Sequence, residues 1–254
     1  MKRLIAARIG SYGEYTDEGW SHLPTFGVYH VEIVVPEPGQ LSEMKERLAD
    51  HGLQASSLHA PCDLRQADVA ATMGPSLDAC VELGVKICYV SAASEGITNE
   101  TAYGRLREVG EQAAARGVIV TLETHRSLAH NGDVASATMA GVDHPNIRIN
   151  FDTGNIYYYN EGTTAVAELL KIAGFVGSVH LKDTTGGYKS LDFPTLGLGV
   201  VDFPRVIEIL DGEGFAGPYT LELEGPEKRS REGQLRHVAE SVEHLRSIGA
   251  FGQA

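Results

Sequence analysis

Residues 118–125 read "VIVTLETH". In an extended strand, successive side chains point to opposite faces. Val118, Val120 and Leu122 therefore share one face, and Thr121, Glu123 and His125 share the other. The same division recurs in "IRINFDTG" (147–154), where Ile147, Ile149 and Phe151 oppose Asn150 and Asp152. It recurs again in "GSVHLKD" (177–183), with Ser178, His180 and Lys182 on the polar face, and in "YTLELEG" (219–225), with Thr220, Glu222 and Glu224. Four strands with one apolar and one polar face need a layer of helices outside and a polar interior.

Four further apolar runs precede these: "LIAARI" (4–9), "VYHVEIVV" (28–35), "ASSLHAP" (55–61) and "VKICYVS" (85–91). Amphipathic segments such as "LSEMKERLADHG" and "FPRVIEILDGEG" separate the runs, and several end in glycine, as helix C-termini prefer. Eight strand-then-helix units predict an α/β fold, a single closed (β/α)₈ TIM barrel over residues 1–254. An open doubly wound sheet is the alternative, but no GxGxxG follows the first strand. No linker, low-complexity tract or charge block divides the chain.

The formal net charge of −13 lacks the broad basic face that nucleic acid or an anionic membrane requires. The three cysteines, Cys62, Cys80 and Cys88, have no CxxC spacing and read as reduced core thiols. The start "MKRLIAARIGSYGEY" has no sustained apolar stretch, and no run approaches the roughly 20 residues of a membrane span. The expectation is a cytoplasmic protein with a small-molecule partner and neither nucleic acid nor membrane as partner; a homo-oligomer stays open.

The polar residues gather toward the C-terminal ends of the strands, the end at which barrel active sites lie. Earlier strands add His30 and Glu32, then His59, by the same parity. Several carboxylates on one mouth repel unless a cation sits between them. A divalent metal is the simplest one, and Asp152 becomes one member of a ring of ligands.

In their order on successive strands, "TLETH", "NFDTGN", "VHLKD", "GLGVVDFPRVIEIL" and "GPYTLELEG" resemble the sugar isomerase/epimerase superfamily of xylose-isomerase-like barrels. Ketose 3-epimerases, hydroxypyruvate isomerase, inosose dehydratase and metal-dependent apurinic endonucleases belong to it. The resemblance implies a metal held by Glu123, Asp152, His180 and Glu222, with Glu123 and Glu222 also serving as acid and base. Three carboxylates and an imidazole suit Mn²⁺ or Mg²⁺, with Zn²⁺ a further candidate. The implied reaction is isomerisation or epimerisation of a small sugar or polyol derivative through an enediolate. A lyase acting on a keto-sugar, keto-inositol or 3-keto-glycoside is the alternative.

Two departures bear on substrate. Asn155 stands where epimerases and endonucleases carry a histidine, and Gly186 stands where ketose epimerases carry an arginine. No histidine lies between His180 and Gly197, which argues against a trinuclear, abasic-DNA-cutting site. A sugar-binding barrel without turnover is a further reading.

Each residue also has a plainer role. Asp152 can cap the next helix, and Glu123 can pair with Arg126. Glu222 and Glu224 share a face, so parity does not choose between them; the resemblance favours Glu222. His59, Glu32, His125, Asn155 and Lys182 are the candidate substrate contacts, and Gly197 and Gly199 let a loop turn before a helix near Asp202.

Overall fold

The computed structural model describes residues 3–225 and 229–251; Met1 and Lys2, the first residues of the start quoted above, lie outside them. Eight strands form where the apolar runs lie: β1 Leu4–Arg8, β2 His30–Val34, β3 Gln54–His59, β4 Ile87–Val90, β5 Ile119–Glu123, β6 Ile147–Asp152, β7 Val176–Leu181 and β8 Pro218–Leu221. They close into a barrel in sequence order, all pairs parallel, with β1 beside β8. The predicted (β/α)₈ architecture holds.

Five helices start at residues whose side chains satisfy a free N–H group. Thr98, Asn131, Thr164, Asp202 and Ser230 each accept a hydrogen bond from the backbone N–H three residues on. Gly84 and Gly117 adopt left-handed φ of 69° and 66° just ahead of β4 and β5, where a side chain would be strained. No helix among the described residues is long and apolar enough to cross a membrane.

The register sorts the faces as alternation requires. Ala6 pairs with His30 and Thr220, Glu123 with Asn150, and Asp152 with His180, so polar residues share the interior. Val120, Leu122, Ile149, Phe151, Val179 and Leu181 point outward under the helices and are at most 1% exposed. Burying each such side chain contributes roughly 1.5–3 kcal/mol. Inside, Ser178 Oγ lies 2.9 Å from Thr121 Oγ1 and 3.0 Å from Asn150 Oδ1. Barrel interiors usually hold layers of branched apolar side chains; here small hydrogen-bonded groups carry polarity up to the mouth. Cys62, Cys80 and Cys88 are free and buried, and burial pushes the Cys62 thiol up to about 12.

Asp183 organises the segment after β7. Its carboxylate is 1% exposed. It accepts the amides of Thr184 at 2.9 Å, Gly197 at 2.8 Å, Gly199 at 2.9 Å and Val201 at 3.2 Å. Gly199 is needed for close approach: a Cβ there would lie 2.2 Å from Asp183 Oδ1 and 2.3 Å from Thr184 O. This clasp shapes the chain that brings Leu191 and Phe193 to the mouth. Asp183→Ala is expected to lower stability, by about 1–3 kcal/mol for each amide then kept from both acceptor and water, and so to lower the denaturation midpoint. A midpoint equal to the parent's would show that the clasp carries no stability.

Candidate metal centre

The acid at the end of β6 does two jobs. Asp152 Oδ1 accepts the amides of Gly154 at 2.8 Å and Asn155 at 2.9 Å, capping the short helix Asn155–Tyr159. Asp152 Oδ2 is buried and accepts no hydrogen bond. One oxygen holds the fold, and the other faces the mouth. Glu123 ends β5 and takes the Ser91 hydroxyl on Oε2. It has no ion pair with Arg126, whose carboxylate neighbour is Glu95 at 4.0 Å. Glu222 lies one residue past β8; Arg8 pairs with Oε1, while Oε2 is buried without a hydrogen bond.

His180, on β7, is fully buried between these acids. Its Nδ1 lies 3.2 Å from Glu222 Oε2 and 4.0 Å from Asp152 Oδ2. Glu123, Asp152, His180 and Glu222 each offer one ligand atom, and these atoms all lie within 4.8 Å of one another. Two of the carboxylate oxygens are buried with unused acceptor capacity. Hard oxygen donors plus one imidazole nitrogen fit a divalent ion such as Mn²⁺, Mg²⁺ or Zn²⁺. The four residues expected from the sequence are those the structure brings together.

Cationic side chains answer part of the negative charge around this group. Lys182 Nζ lies 3.0 Å from Asp152 Oδ2, 2.8 Å from Glu222 Oε2 and 2.9 Å from Glu224 Oε2. The first two oxygens sit in ion-pair range of the ammonium yet off its hydrogen-bond line. Burial disfavours the charged forms of His180 and Lys182, but the surrounding acids raise both above their ordinary values. Burial also raises the Asp152 carboxyl, against the pull of Lys182 and His180.

A cavity of about 350 Å³ opens above the group, lined by His59, His125, Asn155 and Lys182 with Glu123 and Glu222. Asn155 Nδ2 donates to Thr124 O at 3.0 Å, and its Oδ1 accepts from Lys182 Nζ at 3.3 Å. His59 stacks on Tyr89 at 4.4 Å, and His125 meets Tyr159 edge-on at 5.3 Å. Four of the five candidate substrate contacts therefore face the cavity. Glu32 does not: it is 1% exposed and bonded to His180 and Ser57 beneath the floor. Glu224 sits on the rim, half exposed, as the outer partner of Lys182.

His30 shares the interior parity but begins β2, at the opposite end, lining a separate cavity with Gln54 and Lys86. Arg8, Tyr89 and Ser91 also line the mouth, and sequence reasoning passed over them. Arg8 carried a usable signal: it is two residues beyond Ala6, at the C-terminal end of its strand.

A family model described as "Xylose isomerase-like TIM barrel" matches residues 23–248. The inosose dehydratase of Erwinia tasmaniensis is 29% identical over 133 residues, 46% of this chain and 45% of that protein. The L-ribulose-5-phosphate 3-epimerase UlaE of Escherichia coli is 35% identical over 83 residues, 32% of this chain and 28% of that protein. The matched part is thus less than half the length of either curated relative. Among solved structures, a xylose isomerase domain protein from Planctomyces limnophilus superposes with a TM-score of 0.78 at 19% identity, covering 98% of each chain. With the eight-strand barrel and the mouth described above, the match across residues 23–248 shows that the chain belongs to the xylose isomerase-like TIM-barrel family.

Proposed function

We propose that the protein is a divalent-metal-dependent isomerase or epimerase of a small sugar or polyol derivative. The observation that carries this is the group of Glu123, Asp152, His180 and Glu222 at the floor of a sugar-sized cavity. Mn²⁺ or Mg²⁺ is the proposed ion, and the cytoplasm, with its reduced thiols, is the proposed location. The ion, when bound, supplies a Lewis acid that stabilises negative charge on neighbouring substrate oxygens.

The chain's residues do the rest. Glu123 and Glu222 reach the mouth from β5 and β8, so they can approach a bound sugar from different sides. One takes the proton from the carbon α to the carbonyl, and the other returns a proton from its own side. A carboxylate next to cations is a weak base, but enediolate stabilisation acidifies that carbon and a weak base suffices. His59, His125 and Asn155 offer polar contacts to hydroxyls, and Phe193 helps to exclude water.

A second reading has support from Lys182. Its ammonium lines the cavity, held among Asp152, Glu222 and Glu224. Placed over a β-hydroxyl, it would protonate the leaving oxygen of the same enediolate, which makes the protein a dehydratase. Chromatography of products from ketoses, keto-inositols and 3-keto-glycosides with added Mn²⁺ separates the two readings.

Metal analysis tests the foundation. Protein reloaded with Mn²⁺ is expected to approach one ion per chain, and Asp152→Asn and His180→Ala are each expected to lose it. Undiminished loading in both variants would reject the site.

Proton transfer is tested at saturating Mn²⁺ with Glu123→Gln and Glu222→Gln. Each is expected to lower turnover roughly 10²–10⁴-fold, the range for a general acid–base group. Exchange of the substrate α-hydrogen with D₂O, followed by NMR, is expected to survive from one face only. If both variants exchange and turn over like the parent, His125 or Lys182 is the base instead.

The cations at the mouth are already answered by acids: Arg8 by Glu222, Lys182 by Asp152 and Glu224, Arg126 by Glu95. An unphosphorylated substrate is therefore expected to be preferred. Paired kinetics on a free ketose and its phosphate check this, and a large kcat/KM advantage for the phosphate would overturn it.

A further inference from the structure

Glu32 is buried, charged and absent from the cavity wall, so it cannot contact substrate. It comes from β2, across the barrel from His180 on β7. Both its oxygens face the imidazole: Nε2 lies 3.1 Å from Oε1 and 3.2 Å from Oε2. The carboxylate is itself held by the Ser57 hydroxyl, which donates to Oε2 at 2.7 Å. Tyr89 closes the remaining space, meeting the His180 ring edge-on at 4.7 Å.

A carboxylate accepts hydrogen bonds and does not donate them, so the nitrogen facing it carries the proton. The other side of the ring agrees. Asn150 Nδ2 lies 3.1 Å from Nδ1, and the Asn150 amide is oriented by Ser178, whose hydroxyl reaches Oδ1 at 3.0 Å. An amide N–H aimed at Nδ1 requires that nitrogen to be an acceptor. Nδ1 is also the nitrogen turned toward Glu222 and Asp152, and Glu222 Oε2, 3.2 Å from it, accepts no hydrogen bond.

We propose that Glu32, steadied by Ser57, is a positioning residue: it holds the Nε2–H of His180 and thereby presents the Nδ1 lone pair to a divalent cation. The inference rests on the metal reading above. It replaces the expected substrate role of Glu32 with one exerted wholly through His180. Hydrogen-bond partners behind a metal-binding histidine set its tautomer and typically account for 10–100-fold in metal affinity.

The test compares the full-length parent with Glu32→Leu, Glu32→Gln and Ser57→Ala. Mn²⁺ affinity is read from the free-ion EPR signal. Thermal unfolding of the metal-free forms is followed alongside. Glu32→Leu is expected to bind Mn²⁺ about 10–100-fold more weakly. Glu32→Gln retains an acceptor oxygen and is expected to recover much of that loss, while Ser57→Ala is expected to lose less than Glu32→Leu. If Glu32→Leu does not fold, Glu32→Gln and Ser57→Ala carry the comparison, each expected to bind more weakly than the parent.

A purely structural Glu32 would lower the unfolding temperature and leave the affinity of folded protein unchanged, which would overturn the proposal. A second readout is the ring-nitrogen NMR spectrum of the Zn²⁺-loaded parent. Nε2 is expected to be protonated and Nδ1 shifted by the ion; the reverse assignment would also overturn it. A parent that binds no ion would sink the metal reading and this inference together. A parent that binds while all folded variants match it would sink this inference alone.

Discussion

Buried negative charge is the constraint on which the rest of the mouth depends. Glu32, Asp152 and Glu222 are each at most 1% exposed, and Glu123 is 9% exposed. An ionised carboxylate taken out of water costs several kcal/mol unless an opposite charge and hydrogen bonds offset it. The surrounding residues follow from that requirement. Arg8 reaches Glu222, Lys182 lies between Asp152, Glu222 and Glu224, and His180 bridges Glu32 and Glu222. Ser57 and Ser91 add hydroxyl donors to Glu32 and Glu123. Conflict of this kind is retained where function needs it, and removal of any one charge leaves its partner buried alone.

Strand ends provide the rigidity that such a group needs. The candidate ligand residues lie on or one residue beyond β5 to β8, so the hydrogen-bonded barrel fixes their separations. Two aspartates then tie the adjoining loops to the same frame by accepting backbone amides. Asp152 anchors the turn at Gly154 and Asn155, and Asp183 clasps Gly197, Gly199 and Val201. Functional groups on a scaffold hold their geometry better than groups on loops. Here the loops contribute walls, and the strands contribute chemistry.

Side-chain alternation made the barrel and its polar interior legible, because period two is a property of the local chain. It also grouped Asp152 with His180 and Thr121 with Ser178, as the register shows. Parity does not report height along the barrel axis, and that is why His30 was placed with Glu32 though it lies at the other end. Depth was likewise hidden for Glu32, since a carboxylate facing a histidine reads the same in sequence as one facing a sugar hydroxyl. Arg8 was missed because "LIAARI" looks apolar apart from one residue, and an arginine at a strand end usually reads as solvent-facing. Ser91 lies just past β4, and only the three-dimensional closeness of β4 and β5 gives its hydroxyl to Glu123.

Isomerisation, epimerisation and dehydration share a first step, removal of a proton α to a carbonyl, which is the step proposed for this mouth. The outcomes diverge in what happens to the enediolate. Reprotonation needs an acid facing carbon, and elimination needs one facing a β-oxygen. Lys182 has little freedom to choose between them. Its side chain is 3% exposed, and its ammonium is fixed by three carboxylates and packed over Phe193 at 5.1 Å. A substrate with a hydroxyl seated over that nitrogen would be driven toward elimination. A substrate that places a carbonyl or spectator hydroxyl there would find a stabilising donor and leave the proton exchange to the glutamates. On the proposed function, the outcome would be decided by how the walls at His59, His125, Asn155 and Phe193 seat the substrate, with the charged floor common to all outcomes.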